Sequence, residues 1–178
     1  MKHAKNICLN TDSYKVSMWK QYPPGTENVY SYIESRGGRY SSTVVFGLQA
    51  FIKEYLTYQV TAEQVSFADE MWTAHGEPFN REGWDYIVNH HNGRLPVRIR
   101  AVPEGTLVPV HNVLATIENL GGPKTAWLPT WLETAMLRAA WYGTTVATQS
   151  YYIKQTILDY LEKTGDISGI DFKLFDAL

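Results

Sequence analysis

Apolar positions along the chain recur at two spacings, which separate helical stretches from strand-like ones. After a short apolar lead from Ile7 to Leu9, Thr11 or Asp12 can cap a helix over Ser13 to Gln21, which Pro23-Pro24-Gly25 stops. Asn28 to Glu34 mixes β-branched and aromatic residues in partial alternation and predicts a strand ending near Arg36-Gly37-Gly38. Leu48, Phe51, Ile52 and Tyr55 fall at helical spacing and predict a helix over Gly47 to Tyr58. Thr61-Ala62-Glu63-Gln64 is a capping box that opens a further helix to about His75, with Gly76 as its stop. Asn80 starts a shorter helix carrying Trp84 and Ile87, ending near Asn92-Gly93.

At Leu95 the period shortens to two. Val97, Ile99 and Ala101 alternate with Arg98 and Arg100, Pro103-Glu104-Gly105 turns into Thr106 to Val110, and Asn112 leads into Val113 to Glu118, a small antiparallel β unit. Beyond the break at Gly121-Gly122-Pro123, the face formed by Trp127, Trp131, Leu132, Ala135, Met136 and Ala139 predicts one long helix. Ile153, Ile157 and Leu161 predict a second over Thr144 to Lys163. The tryptophans Trp127, Trp131 and Trp141 read as core. Ile170 to Leu174 reads as a strand with an edge open to pairing, and a strand so placed is the start of an α/β unit that continues, so the chain reads as unfinished.

No linker or repeat divides residues 1–178, which read as a single domain of mixed helices and strands. With 16 Lys+Arg against 18 Asp+Glu the net charge is −2, and no basic block supplies a nucleic-acid footprint. The single cysteine, Cys8, cannot form an internal disulfide, and with no apolar run near the ~20 residues of a membrane span the expectation is a soluble, cytoplasmic protein.

Candidate chemistry is sparse. His90 and His91 are adjacent and His75 and His111 stand apart, which does not give metal-ligand spacing. Cys8 has no local base and reads as a small buried hydrophobe. Arg36-Gly37-Gly38-Arg39 can bring backbone and guanidinium to a phosphate, or can be a solvated turn. Asp12-Ser13-Tyr14-Lys15 sets an acceptor, a hydroxyl, an aromatic plate and a cation at one helix start, which suits a planar heteroaromatic with a polar substituent and equally suits a capped helix.

Several collinear segments resemble the N-terminal part of the nicotinamide phosphoribosyltransferase family: Thr11 to Thr26 (TDSYKVSMWKQYPPGT), Val29 to Arg36 (VYSYIESR), Phe46 to Gln49 (FGLQ), Phe79 to Ile87 (FNREGWDYI), Gly93 to Asn119 and Trp127 to Ser150. The resemblance implies an α+β fold that opens an incomplete α/β barrel of the type II phosphoribosyltransferase kind. It implies an enzyme that joins nicotinamide to phosphoribosyl pyrophosphate, giving nicotinamide mononucleotide and pyrophosphate in NAD salvage, with Mg²⁺ and ATP serving the complete enzyme. By the same resemblance Tyr14 matches a tyrosine that stacks on nicotinamide in the partner subunit of a homodimer, Asp12 an acid near the carboxamide, and Arg36 an arginine that approaches phosphates across the dimer.

The match breaks at the last residues, where the family reads KLHDFG followed by arginine and this chain reads Lys173 to Leu178 (KLFDAL). Phe175 stands at the histidine and Ala177 at the second stacking aromatic. The barrel, its phosphate loop and its ribose-binding acids are not in this sequence, so the resemblance implies a chain inactive by itself, either incomplete or completed by a second, C-terminal chain that supplies the barrel. The alternative is a non-catalytic protein that associates with a full-length homologue.

Overall fold

A computed structural model describes residues 5–177, the side chains of 175–177 excepted. Its frame is a three-stranded antiparallel sheet of β1 (Tyr30–Glu34), β3 (Val97–Ala101) and β5 (Val113–Asn119), in the order β1-β5-β3. A separate two-stranded sheet pairs β2 (Ser42–Val44) with β4 (Leu107–Pro109). The alternation read from the sequence thus serves two sheets. In the larger one Ile99 pairs with Ile117 and Tyr30 with Glu118, so Ile33, Ile99 and Ile117 pack on the core while Arg98 and Arg100 meet Glu118 on the wet face at 2.9 and 3.4 Å.

The buried Asn119 side chain joins the ends of this sheet. Its Oδ1 accepts from Val29 N at 2.7 Å, and its Nδ2 donates to the Glu27 and Gly122 carbonyls at 3.0 Å. A buried amide is stable only when its groups are bonded in this way.

The helices are α1 (Leu48–Phe51), α2 (Ala62–His75), α3 (Arg81–His90), α4 (Leu128–Thr164) and α5 (Ile170–Ala177). The capping box of α2 forms in both directions: Gln64 N donates to Thr61 Oγ1, and Thr61 N donates to Gln64 Oε1. Helix α1 is only four residues long and continues as a π-helical turn over Ile52–Leu56. The core is aromatic at its centre, where Trp84 meets Trp127 and Trp131 edge to face at ring separations of 5.0 and 5.5 Å.

Three expectations are corrected. The two long helices are a single 37-residue helix, α4, which runs through Gly143. The residue is glycine because of packing rather than helix ending: a Cβ there would lie 2.5 Å from the Phe46 carbonyl oxygen. Thr144 and Thr148, in the next turns, bond the Phe46 and Val44 backbone, so α4 serves as the lateral partner of β2 and the loop after it.

Ile170 to Leu174 is helical, not a strand, and offers no sheet edge. Asp166 caps a 3₁₀ turn over Ile167–Gly169 that launches α5. The half-buried Ile170 and Leu174 stand one turn apart where α5 packs on α4, and Lys154 pairs with Asp171 at 3.1 Å. Phe175 and Ala177, where the sequence departs from the family, lie outside the residues whose side chains are described. Finally, Trp127 and Trp131 are buried, but Trp141 is 68% exposed.

Candidate functional site

The stretch from Ile7 to Tyr22 is laid along the first turns of α4 and stapled to it at almost every step. Trp131 Nε1 donates to the Ile7 carbonyl at 3.0 Å, and Thr11 Oγ1 donates to the Trp131 carbonyl at 2.8 Å. Tyr22 bonds Thr130 through their hydroxyls, and from α2 Trp72 Nε1 donates to the Cys8 carbonyl at 2.8 Å. These bonds hold Ser13–Gln21 as a tight 3₁₀ helix, where the sequence pattern did not distinguish it from an α-helix.

Neither expected cap operates. Thr11 is committed to Trp131. Asp12 sits at the N-cap with no side-chain bond to the helix, because its Oδ2 accepts from Thr134 Oγ1 at 2.6 Å.

At the start of that helix Tyr14 is held outward with 57% of its surface exposed, so it is not a core residue. The next residue turns inward. The Lys15 side chain is 3% exposed, its ammonium pairs with Glu133, and the same nitrogen lies over the Tyr14 ring at 5.1 Å from the centroid. Two adjacent α4 residues, Glu133 and Thr134, therefore grip the two sides of the segment that displays Tyr14. One turn along, Arg138 Nη2 donates to Asn10 Oδ1 at 2.5 Å, beside an open cleft of about 620 Å³ bordered by Leu9, Tyr55 and Tyr142. The sequence reading named Asp12, Tyr14 and Lys15 but not Glu133 or Thr134, which lie on the polar flank of an apolar helical face and show their role only once the segment is folded against them.

Arg36 is exposed in the loop after β1, and among the described residues no hydrogen bond or ion pair joins it to Asp12 or Tyr14. Its loop is shaped by Gly37 at φ +89° and by His111, itself at φ +62°, whose backbone N–H donates to the Ser35 carbonyl at 2.8 Å. The neighbouring Arg39 lies over Tyr40, which stacks on Tyr152 of α4 at 4.0 Å. Asp12 and Tyr14 are thus brought together, and Arg36 stands on a separate loop.

Cys8 is fully buried, and burial pushes its thiol well above the ordinary range, as for an inert core residue. Among the described residues no three His, Cys, Asp or Glu side chains converge to hold a metal ion. No described helix is long and apolar enough to cross a membrane.

Residues 6–99 match the family described as nicotinamide phosphoribosyltransferase, N-terminal domain. The chain belongs to this family. It is 51% identical over 178 residues to a nicotinamide phosphoribosyltransferase of Xanthomonas campestris, a match that takes in 99% of this chain and 38% of that protein. A second nicotinamide phosphoribosyltransferase, from Acinetobacter baylyi, is 32% identical over 172 residues, covering 86% of this chain and 34% of the relative. The chain therefore spans somewhat more than a third of the length of these curated relatives. The fold is similar to that of human nicotinic acid phosphoribosyltransferase, with a TM-score of 0.56 and 21% identity over 80% of this chain and 27% of that one.

Proposed function

We propose that this chain is the N-terminal domain of an enzyme that makes nicotinamide mononucleotide and pyrophosphate from nicotinamide and phosphoribosyl pyrophosphate in NAD salvage, in the cytoplasm. The observation that carries the reading is the 51% identity to a nicotinamide phosphoribosyltransferase along 99% of the chain. In this reading the ring nitrogen of nicotinamide attacks the ribose carbon as pyrophosphate leaves, and the ring becomes a pyridinium cation. Tyr14 contributes an aromatic face, which favours a cation more than a neutral ring. Asp12 accepts N–H bonds of the carboxamide and repels the carboxylate of nicotinate, while Arg36 contacts phosphate oxygens.

The residues that hold ribose, pyrophosphate and Mg²⁺ come, in this proposal, from a barrel contributed by further chain or by a complementing one. Tyr14 and Arg36 act on the site of a partner subunit. Two features support action in trans: Tyr14 is turned to solvent, and Arg36 lies on a separate loop unconnected to it. Exposed Leu137, Trp141 and Tyr142 on α4 offer a surface for that association.

The test is nicotinamide mononucleotide formation by the chain joined with such a barrel, for the wild type and for Tyr14→Ala, Asp12→Asn and Arg36→Ala. Losses of about tenfold or more in kcat/KM without loss of fold support the reading. Association without any turnover would instead favour a non-catalytic binding protein.

A further inference from the structure

Resting on the reading that Tyr14 stacks on the nicotinamide ring, we propose that Glu133 neutralises Lys15 so that the face of Tyr14 can accept a cationic pyridinium. The Lys15 ammonium is almost fully shielded from water and lies over the Tyr14 ring at 5.1 Å from its centroid. A ring face attracts cations through its quadrupole, and an uncompensated buried ammonium already against that ring would oppose a second cation stacking on it. Glu133 pairs with this ammonium from α4, with its own side chain 48% exposed, and removes the net charge beneath the plate.

The consequence is selective for charge. Nicotinamide enters neutral and becomes a pyridinium as the carbon–nitrogen bond forms and pyrophosphate departs with the electron pair of the breaking carbon–oxygen bond. Neutralising Lys15 therefore matters little for binding nicotinamide and much for the charge that develops afterwards. Glu133 touches no reacting atom in this account and works through Lys15 and Tyr14. A residue that merely held the segment in place would affect neutral and cationic rings alike.

The test uses the assembled enzyme containing this domain and compares affinities for nicotinamide and for its N1-methylated cation, at low ionic strength. Glu133→Gln is expected to weaken the cation roughly tenfold, by the repulsion of two unit charges sharing one ring in a partly shielded site. Nicotinamide affinity and its KM should stay within about twofold, and kcat should fall with the cation's affinity. Lys15→Met should act in the opposite sense, strengthening the cation relative to nicotinamide, and it gives an independent reading where Glu133→Gln does not fold. The double variant should restore the wild-type ratio.

Equal effects of Glu133→Gln on both rings, or none on either, would overturn the proposal and leave Glu133 a structural residue, as would a Lys15→Met ratio unchanged or shifted the other way. Tyr14→Ala separates the two levels: if it changes neither affinity the stacking reading itself fails, whereas if it weakens both rings while Glu133→Gln does not discriminate, only the charge proposal fails.

Discussion

Thr134 donates its hydroxyl proton to the Asp12 carboxylate at 2.6 Å, across 122 residues of sequence. The bond diverts the Asp12 carboxylate from capping its own helix and fixes it two residues from an exposed Tyr14. If Asp12 receives the carboxamide as proposed, it is oriented before the ligand arrives, which lowers the ordering cost of binding.

Thr134→Val keeps the shape and removes this bond. A hydrogen bond to a charged group is worth about 1.5 kcal/mol, and an exposed one less. In the assembled enzyme, kcat/KM for nicotinamide is expected to fall about three- to tenfold, with the thermal midpoint nearly unchanged. Steady-state kinetics beside a melting curve checks both.

Gly143→Ala places a methyl group 2.5 Å from the Phe46 carbonyl oxygen, and backbone rather than a flexible side chain must give way. Although alanine is the better helix former, this variant is expected to lose roughly 1–3 kcal/mol. Gly169→Ala, where a Cβ meets nothing within 4 Å, should stay within about 0.5 kcal/mol of wild type. Urea denaturation of the two variants measures the difference.

Cys8 supplies a pH dependence with a definite sign. Burial raises its folded-state pKa, so above the ordinary thiol value of 9.0 the unfolded chain releases a proton that the folded chain keeps. The thiol's contribution is therefore fully present below that value and is lost as pH rises beyond it, at up to about 1.4 kcal/mol per pH unit. Cys8→Ala should flatten this alkaline slope. Denaturation at pH 8 and pH 10.5 for both proteins tests it, as does slow labelling of the folded thiol.

Much of this architecture is legible in the sequence, because it depends on local chemistry. Thr61 and Gln64 announce the start of α2, and the alternation from Val97 to Ala101 marks β3. What escapes is tertiary. The one helix α4 reads as two until Gly143 is seen packed against the Phe46 carbonyl, and Ile170 to Leu174, read as a strand, turn helical where α4 lies alongside. Trp141 continues an apolar helical face in sequence, yet it stands 68% exposed among the described residues.

At the site, Asp12, Tyr14 and Lys15 stand out as residue types. Their two readings, a capped helix or a displayed plate, diverge only when Thr134 and Glu133 are in place.

By itself the chain is expected to form no nicotinamide mononucleotide above a protein-free control. Asp12 and Tyr14 are displayed without Arg36 beside them. Proximity and fixed charges supply most of such a rate, and a partial site lacks both. A sensitive assay for the mononucleotide, with Tyr14→Ala as control, decides this.

The central claim is that Tyr14 and Arg36 serve a nicotinamide site built by another subunit or chain. The most direct measurement is the kinetics of the reconstituted assembly with Tyr14→Ala or Arg36→Ala, each beside its thermal midpoint. The account predicts that kcat/KM falls about tenfold or more for each variant while the midpoint holds, as loss of a ring contact and of a phosphate contact requires. Unchanged kinetics for Arg36→Ala, or a loss in Tyr14→Ala fully explained by unfolding, would contradict it.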